Sequence, residues 1–230
     1  MTDKVPVVTI DGPSGSGKGT ISRGLAAKLG WHLLDSGALY RVVPLAAARH
    51  GITLDDSAAL TAVAATMDVR FGRPAEPERV LLDGAEVTDQ LRTESAGAAA
   101  SRVAVIPAVR DALLQRQRDF AIPPGLVADG RDMGTVVFPD AALKVFLTAS
   151  TEARAFRRHK QLKEKGIDVS LPDLSLGLAQ RDARDASRNV APLKPAPDAR
   201  ELDSTSLTPE EVIALILTWL KDMGVESNRA

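Results

Sequence analysis

The sequence has no cysteine. That excludes a disulfide framework, a thiolate zinc site and a cysteine nucleophile, and it is compatible with a reducing compartment. It also has almost no net charge, because 29 Lys and Arg stand against 30 Asp and Glu, for a formal value of -1. So weak a field offers no general attraction to a nucleic-acid backbone or an anionic membrane, and any anion site must be built from local clusters. Long apolar runs are missing too. Met1 to Lys4 lead directly into Val5 to Ile10 without a basic leader, and no stretch reaches the roughly 20 apolar residues of a membrane span. The expectation is a cytoplasmic protein. Internal repeats and low-complexity segments are absent as well.

What is present suffices for a substantial core. With 230 residues and 44% hydrophobic side chains, the length fits one domain with room for a small insertion. Val5 to Ile10 is a short, mostly β-branched run ending at Asp11 and a glycine-rich turn, as a buried parallel strand would be. Apolar residues at Ile21, Leu25, Ala26 and Leu29 then repeat at helical spacing, and Gly30 supplies a C-cap. The same strand signal recurs at Trp31 to Leu34, Gly125 to Ala128, Leu143 to Leu147 and, more weakly, Arg200 to Leu202. Five strands alternating with helices predict a parallel sheet covered on both faces.

The middle breaks that rhythm. Val69 to Phe71 and Val80 to Leu82 flank a Gly-Pro-rich turn, and Asp83-Gly84 is a tight-turn signal before Glu86 to Thr88, which predicts a small antiparallel insertion. Helical stretches follow over about 93–101 and 107–120. Thr208, Pro209 and Glu211 form an N-cap, first-turn proline and capping-box acid ahead of a last helix.

Gly12, Pro13, Ser14, Gly15, Ser16, Gly17 and Lys18 match G-x-x-x-x-G-K, placed between the first strand and the first helix. There the glycines let successive backbone N–H groups point at phosphate oxygens. The helix start adds partial positive charge, and Lys18 can reach the β and γ phosphates. A glycine-rich turn carrying an exposed lysine would not need that flanking strand and helix. Gly19 stands where many P-loops have a metal-binding hydroxyl, which moves to Thr20. A GTPase is disfavoured, because the only asparagines, Asn189 and Asn228, lie in no Asn-Lys-x-Asp segment. On spacing alone, Arg181, Asp185 and Arg188 share one helical face, an arrangement that ordinarily makes surface ion pairs. The basic stretch from Arg154 through Arg157, Arg158, Lys160 and Lys163 to Lys165 ordinarily reads as a solvated helix.

Four segments together carry a family resemblance: Gly12 to Thr20, Asp35 to Arg41, Asp129 to Thr135 and Arg181 to Arg188. They resemble bacterial cytidylate kinases, nucleoside monophosphate kinases with a P-loop, and the resemblance spans nearly the whole chain. It implies an α/β P-loop NTPase fold, a three-layer sandwich with a five-stranded parallel sheet. The core would comprise residues 1–62 and 103–230, with an inserted monophosphate-binding domain over 63–102 and a short lid over 154–168. ATP would be bound by residues 12 to 20, Gly19 and Thr20 included, with Arg157 of the lid.

For the acceptor, the resemblance implies CMP or dCMP bound by Ser36, Arg41, Ser101, Arg110, Arg131, Asp132, Arg181, Asp185 and Arg188. Arg41, Arg131 and Arg188 would take its phosphate. Asp185, steadied by Arg181, would take the ribose, and Ser101, Arg110 and Asp132 the cytosine. Lys18, Arg131 and Arg188 would be catalytic. Mg²⁺ would arrive as MgATP, held by phosphates and water, since glycine after the lysine is usual in this family. The partners implied are these nucleotides, with no nucleic-acid polymer and no membrane, and the chain is expected to be a monomer. Two readings compete: a P-loop kinase for another small acceptor, and a regulatory module that binds ATP without chemistry. The second should have lost some of Lys18, Arg41, Arg131 and Arg188.

Overall fold

The computed structural model describes residues 4–72, 79–164, 166–188 and 190–225. The start of the chain at Met1, the interior of the Gly-Pro-rich turn, Lys165, Asn189 and Asn228 lie outside them.

Every residue of Val7–Asp11 (β1) is buried, as its β-branched run anticipates for a central strand covered on both faces. The helix after it, Lys18–Leu29 (α1), starts three residues before its first apolar position, Ile21. It buries Ile21, Leu25, Ala26 and Leu29 and ends at Gly30, whose φ of 68° is the left-handed cap that glycine adopts readily. His32–Asp35 (β2) leads into Ser36–Arg49 (α2), capped by the Asp35 carboxylate, which accepts from Ala38 N at 2.8 Å.

Ser57–Thr66 (α3) precedes three short strands, Val69–Phe71 (β3), Val80–Leu82 (β4) and Ala85–Glu86 (β5), which form an antiparallel sheet. Thr88, expected to end the last of these, instead begins Thr88–Leu91 (α4), and its hydroxyl accepts from Val80 N. Glu94–Val103 (α5) and Pro107–Arg118 (α6) follow. Position 62 falls inside α3 and position 102 inside α5. The small sheet shares a core with the helices around it through the fully buried Leu39, Leu60, Leu82, Val103 and Leu113.

The chain then returns to the main sheet with Leu126–Gly130 (β6), a π-helical turn over Met133–Val137, and Leu143–Thr148 (β7). Thr151–Glu164 (α7) and Leu171–Ala186 (α8) pack together before Arg200–Asp203 (β8) and Pro209–Asp222 (α9). Thr208 and Glu211 cap α9 reciprocally, as their spacing predicts.

The five long-range strands run parallel in the order β2-β6-β1-β7-β8. In open α/β sheets the crevice at the carboxyl ends of the strands, where strand order reverses, is where ligands bind. Here β1 is that central strand. Asp11, Asp35 and Asp129 all sit at this edge, in register or nearly so.

Candidate active site

Two glycines show why the loop after β1 has its composition. A Cβ at Gly12 would lie 2.1 Å from the carbonyl oxygen of Leu147, so no larger residue fits. Gly17 has a φ of 93°, which opens α1 from a left-handed N-cap. The cap has no side-chain hydrogen bond, so the first amides of α1 are left for a ligand. Lys18 folds back over the loop and donates to Pro13 O at 3.1 Å. Burial lowers its ammonium pKa, Arg131 lowers it further, and Asp129 opposes both. The Asp129 carboxyl is raised by burial despite the pull of Lys18.

A Cβ at position 19 would lie 3.3 Å from Asp129 Oδ2, a tight contact that the carboxylate would have to shift to relieve. Thr20 is exposed, and among the described residues no group of three or more His, Asp or Glu could hold a metal ion. A divalent ion held by phosphates and water, with Asp35 and Asp129 near the lysine, suits this donor set.

Asp11, visible in the sequence only as the end of a strand, organises the opposite wall. Its two carboxylate oxygens accept from Met133 N and Gly134 N, each at 2.8 Å, which fixes the turn that carries Arg131 and Asp132. Burial pushes its pKa up to about 6, against the pull of those two hydrogen bonds.

Arg131 Nε donates to Asp185 Oδ2 at 2.9 Å, and Arg188 pairs with Asp185 Oδ1. Burial would raise the Asp185 carboxyl, but Arg131 and Arg188 outweigh it and hold it below the ordinary range. This corrects one expectation. The helix α8 stops at Ala186, so Arg188 is not on its face and reaches Asp185 from the segment beyond. Arg131 and Arg188 make the direct contacts to Asp185, which also gains a favourable charge through space from Arg181. The Arg181 Nε is buried without a hydrogen-bond partner, and its guanidinium lies over Gly97, where a Cβ would be 3.3 Å away. Burial, Arg131 and Arg41 together push its pKa down to about 10.

The remaining residues expected at the acceptor site lie on several elements. Arg41 on α2 donates to Leu91 O at 2.7 Å. Ser101 on α5 donates to Gly97 O at 3.1 Å. Ser36 donates to Gln117 Oε1 at 2.7 Å in a fully buried contact, and Gln117 had no signal in the sequence. Arg110 and Asp132 form a buried ion pair, with the guanidinium 5.9 Å from the centre of the Tyr40 ring. Arg157 is brought to the P-loop from outside: it donates to Ser16 O at 3.2 Å and to Ser204. Gly19, Asp35, Arg41, Leu91 and Asp129 line a narrow cleft between loop and insertion. A roomier cavity of about 330 Å³, lined by His32, Phe71, Arg116 and Phe120, contains none of the expected site residues.

The family model described as cytidylate kinase matches residues 8–222. A cytidylate kinase of Pseudomonas fluorescens is 60% identical over 220 residues, covering 95% of this chain and 96% of that protein. One of Azotobacter vinelandii is 58% identical over the same length and the same shares. Among solved structures, an uncharacterized protein from Eubacterium ventriosum aligns with a TM-score of 0.52 at 12% identity, over 95% of this chain and 99% of that one, a likeness of fold alone. With its P-loop and arginine cluster at one edge of a five-stranded parallel sheet, the chain belongs to the cytidylate kinase family.

Proposed function

We propose that this protein phosphorylates CMP and dCMP at the expense of ATP, giving CDP and dCDP by in-line transfer of the γ phosphoryl group. The observation that carries the reading is a juxtaposition: Lys18 of the P-loop lies in the same electrostatic neighbourhood as Arg131 and Arg181, beside the Arg131–Asp185–Arg188 cluster.

The P-loop amides and Lys18 hold the triphosphate, and Arg157 supports the loop from behind through the Ser16 carbonyl. Asp35 and Asp129 would face the water shell of a Mg²⁺ ion bound with ATP, which would supply further neutralisation of the phosphates. Arg41, Arg131 and Arg188 take the acceptor phosphate; their planar forks both position the attacking oxygen and offset charge during transfer. That oxygen is already anionic, so no strong base is required. Asp185 has spare lone pairs after its two arginine contacts and accepts from a ribose hydroxyl. Asp132 accepts from the cytosine N4 amine while Arg110 donates to a ring acceptor. UMP would set its O4 acceptor against that carboxylate, at a cost of about 1 to 3 kcal/mol. The helix α7 with the turn after it serves as the lid. Among the described residues no helix is long and apolar enough to cross a membrane; a cytoplasmic monomer fits substrates drawn from the intracellular nucleotide pool.

The test is an ADP-release assay with MgATP against CMP, dCMP, UMP, AMP and GMP, with Lys18→Ala as the control for contaminating kinases. Rapid turnover of CMP and dCMP, weak UMP and silent purines is the expected outcome. Turnover of every pyrimidine monophosphate at the Lys18→Ala background would overturn the reading.

A further inference from the structure

The first arginine of α7 is not part of a solvated face. Arg154 is only 4% exposed, and all three guanidinium nitrogens are committed. Nε donates to Ala149 O, Nη1 to Ser14 O and Nη2 to Thr151 Oγ1, each at 3.0 Å, and Nη2 also pairs with Asp182 Oδ2 at 2.6 Å. Ser14 is in the P-loop. Asp182 is on α8, next to Arg181 and one turn before Asp185. The stem of Arg154 packs on the same loop, since a Cβ at Gly15 would stand 3.2 Å from its own Cβ. One side chain therefore joins the donor loop to the helix that carries acceptor groups.

Lysine could not make these contacts, because it has one nitrogen where the arginine fork offers donors in three directions. Asp182 Oδ1 is buried with no hydrogen-bond partner, so Arg154 is the contact that anchors this carboxylate. From Asp182 one turn of α8 leads to Asp185, whose oxygens receive Arg131 and Arg188. The path from Ser14 to Arg131 is thus an unbroken series of hydrogen bonds, ion pairs and one rigid helix, the kind of element through which two sites can influence each other.

We propose that Arg154 and Asp182 are positioning residues that couple the donor and acceptor sites, so that a nucleotide on the P-loop tightens CMP binding although neither residue touches a substrate. The proposal rests on the kinase reading above. A ligand that shifts the crest of the loop moves the Ser14 carbonyl, and Arg154 transmits that shift to α8 through Asp182. Linkage requires the reverse effect to be equal, so CMP tightens nucleotide binding by the same factor.

Calorimetry on the full chain tests this by measuring the CMP dissociation constant with and without a saturating non-hydrolysable ATP analogue and Mg²⁺. The wild type is expected to bind CMP at least about five-fold tighter with the analogue present, the lower end of ordinary coupling. In Asp182→Asn, chosen because Asp182 is 25% exposed and the replacement is nearly isosteric, that ratio falls close to one while CMP binding alone changes little. Asp182→Glu, which keeps the carboxylate, recovers most of it, and Arg154→Lys loses it as Asp182→Asn does. A wild-type ratio of one overturns the proposal. So does an Asp182→Asn protein that keeps the wild-type ratio, including one that weakens both ligands equally. Wild-type CMP turnover in the same preparation separates failure of this coupling from failure of the kinase reading.

Discussion

Arg131 Nε lies 2.9 Å from Asp185 Oδ2, which ties the end of β6 to α8 through a carboxylate that is 2% exposed. Asp185 pairs with both Arg131 and Arg188, while Arg181 adds a third positive charge nearby. Asp185→Ala would leave two mostly buried guanidinium groups without their partner. Breaking a buried pair from one side costs about 3 kcal/mol or more. Urea unfolding should show a lower midpoint with an unchanged slope, and the KM for CMP should rise because the proposed ribose contact is lost as well.

Arg181 should behave in the opposite way. Its charge is disfavoured by burial and by Arg131 and Arg41, and its Nε is buried without a hydrogen-bond partner. Arg181→Met keeps much of the stem and removes both costs, so the ligand-free protein should gain about 1 kcal/mol. The same variant should bind CMP more weakly, because the acceptor phosphate and ribose lose a nearby cation. Thermal melts paired with CMP titrations check both signs at once. Destabilisation of the ligand-free protein would show that Arg181 contributes to the fold as well.

In the proposed reading, base discrimination rests on Asp132, which Arg110 holds in a buried pair. Asp132→Asn places an amide where the carboxylate was, and the amide can turn its N–H₂ toward the O4 of uracil. The preference for CMP over UMP, measured as the ratio of kcat/KM values, should narrow by about ten-fold or more. The loss should fall mainly on CMP, since Arg110 is then left with a weaker partner.

Much of this was legible in the sequence, and the reasons for the remainder are specific. Asp11 to Lys18 reads as strand, turn and helix because the glycines and the β-branched run are local signals, and the Thr208 cap is equally local. Arg188 was misplaced because nothing in its spacing announces that α8 stops at Ala186. The basic run from Arg154 looks like a solvated face, yet Arg154 turns inward because carbonyls at Ala149 and Ser14 await donors there, and only the tertiary structure brings those together. The π-helical turn after Asp132 has no pattern of its own; it depends on Asp11, 122 residues earlier, accepting from Met133 N. Gln117 is silent for the same reason, since its partner Ser36 lies 81 residues away.

Asp11 gives the last prediction, a pH dependence whose sign is unusual for a hydrogen-bonded carboxylate. Burial raises its pKa from the ordinary 3.8 to about 6, so the folded protein takes up this proton more readily than the unfolded chain. Stability rises with pH only where the unfolded state binds more protons. Between pH 3.8 and about 6 the reverse holds for this group, and its contribution to stability falls as pH increases, then levels off above that range. The full shift corresponds to about 3 kcal/mol. Carboxylates whose pKa is depressed, such as Asp185, act in the opposite direction, so the raw pH profile mixes both. Asp11→Asn isolates the term because it does not titrate there. It also turns an amide N–H₂ toward Met133 N or Gly134 N and forfeits one of the two hydrogen bonds, which lowers stability by about 1 to 3 kcal/mol. The wild-type advantage over Asp11→Asn, measured by urea unfolding, should therefore shrink steadily from pH 4 to pH 6 (about the window of the shift). An advantage that stays flat or rises slightly over that range would mean that the two backbone N–H groups outweigh burial and that Asp11 is ionised throughout.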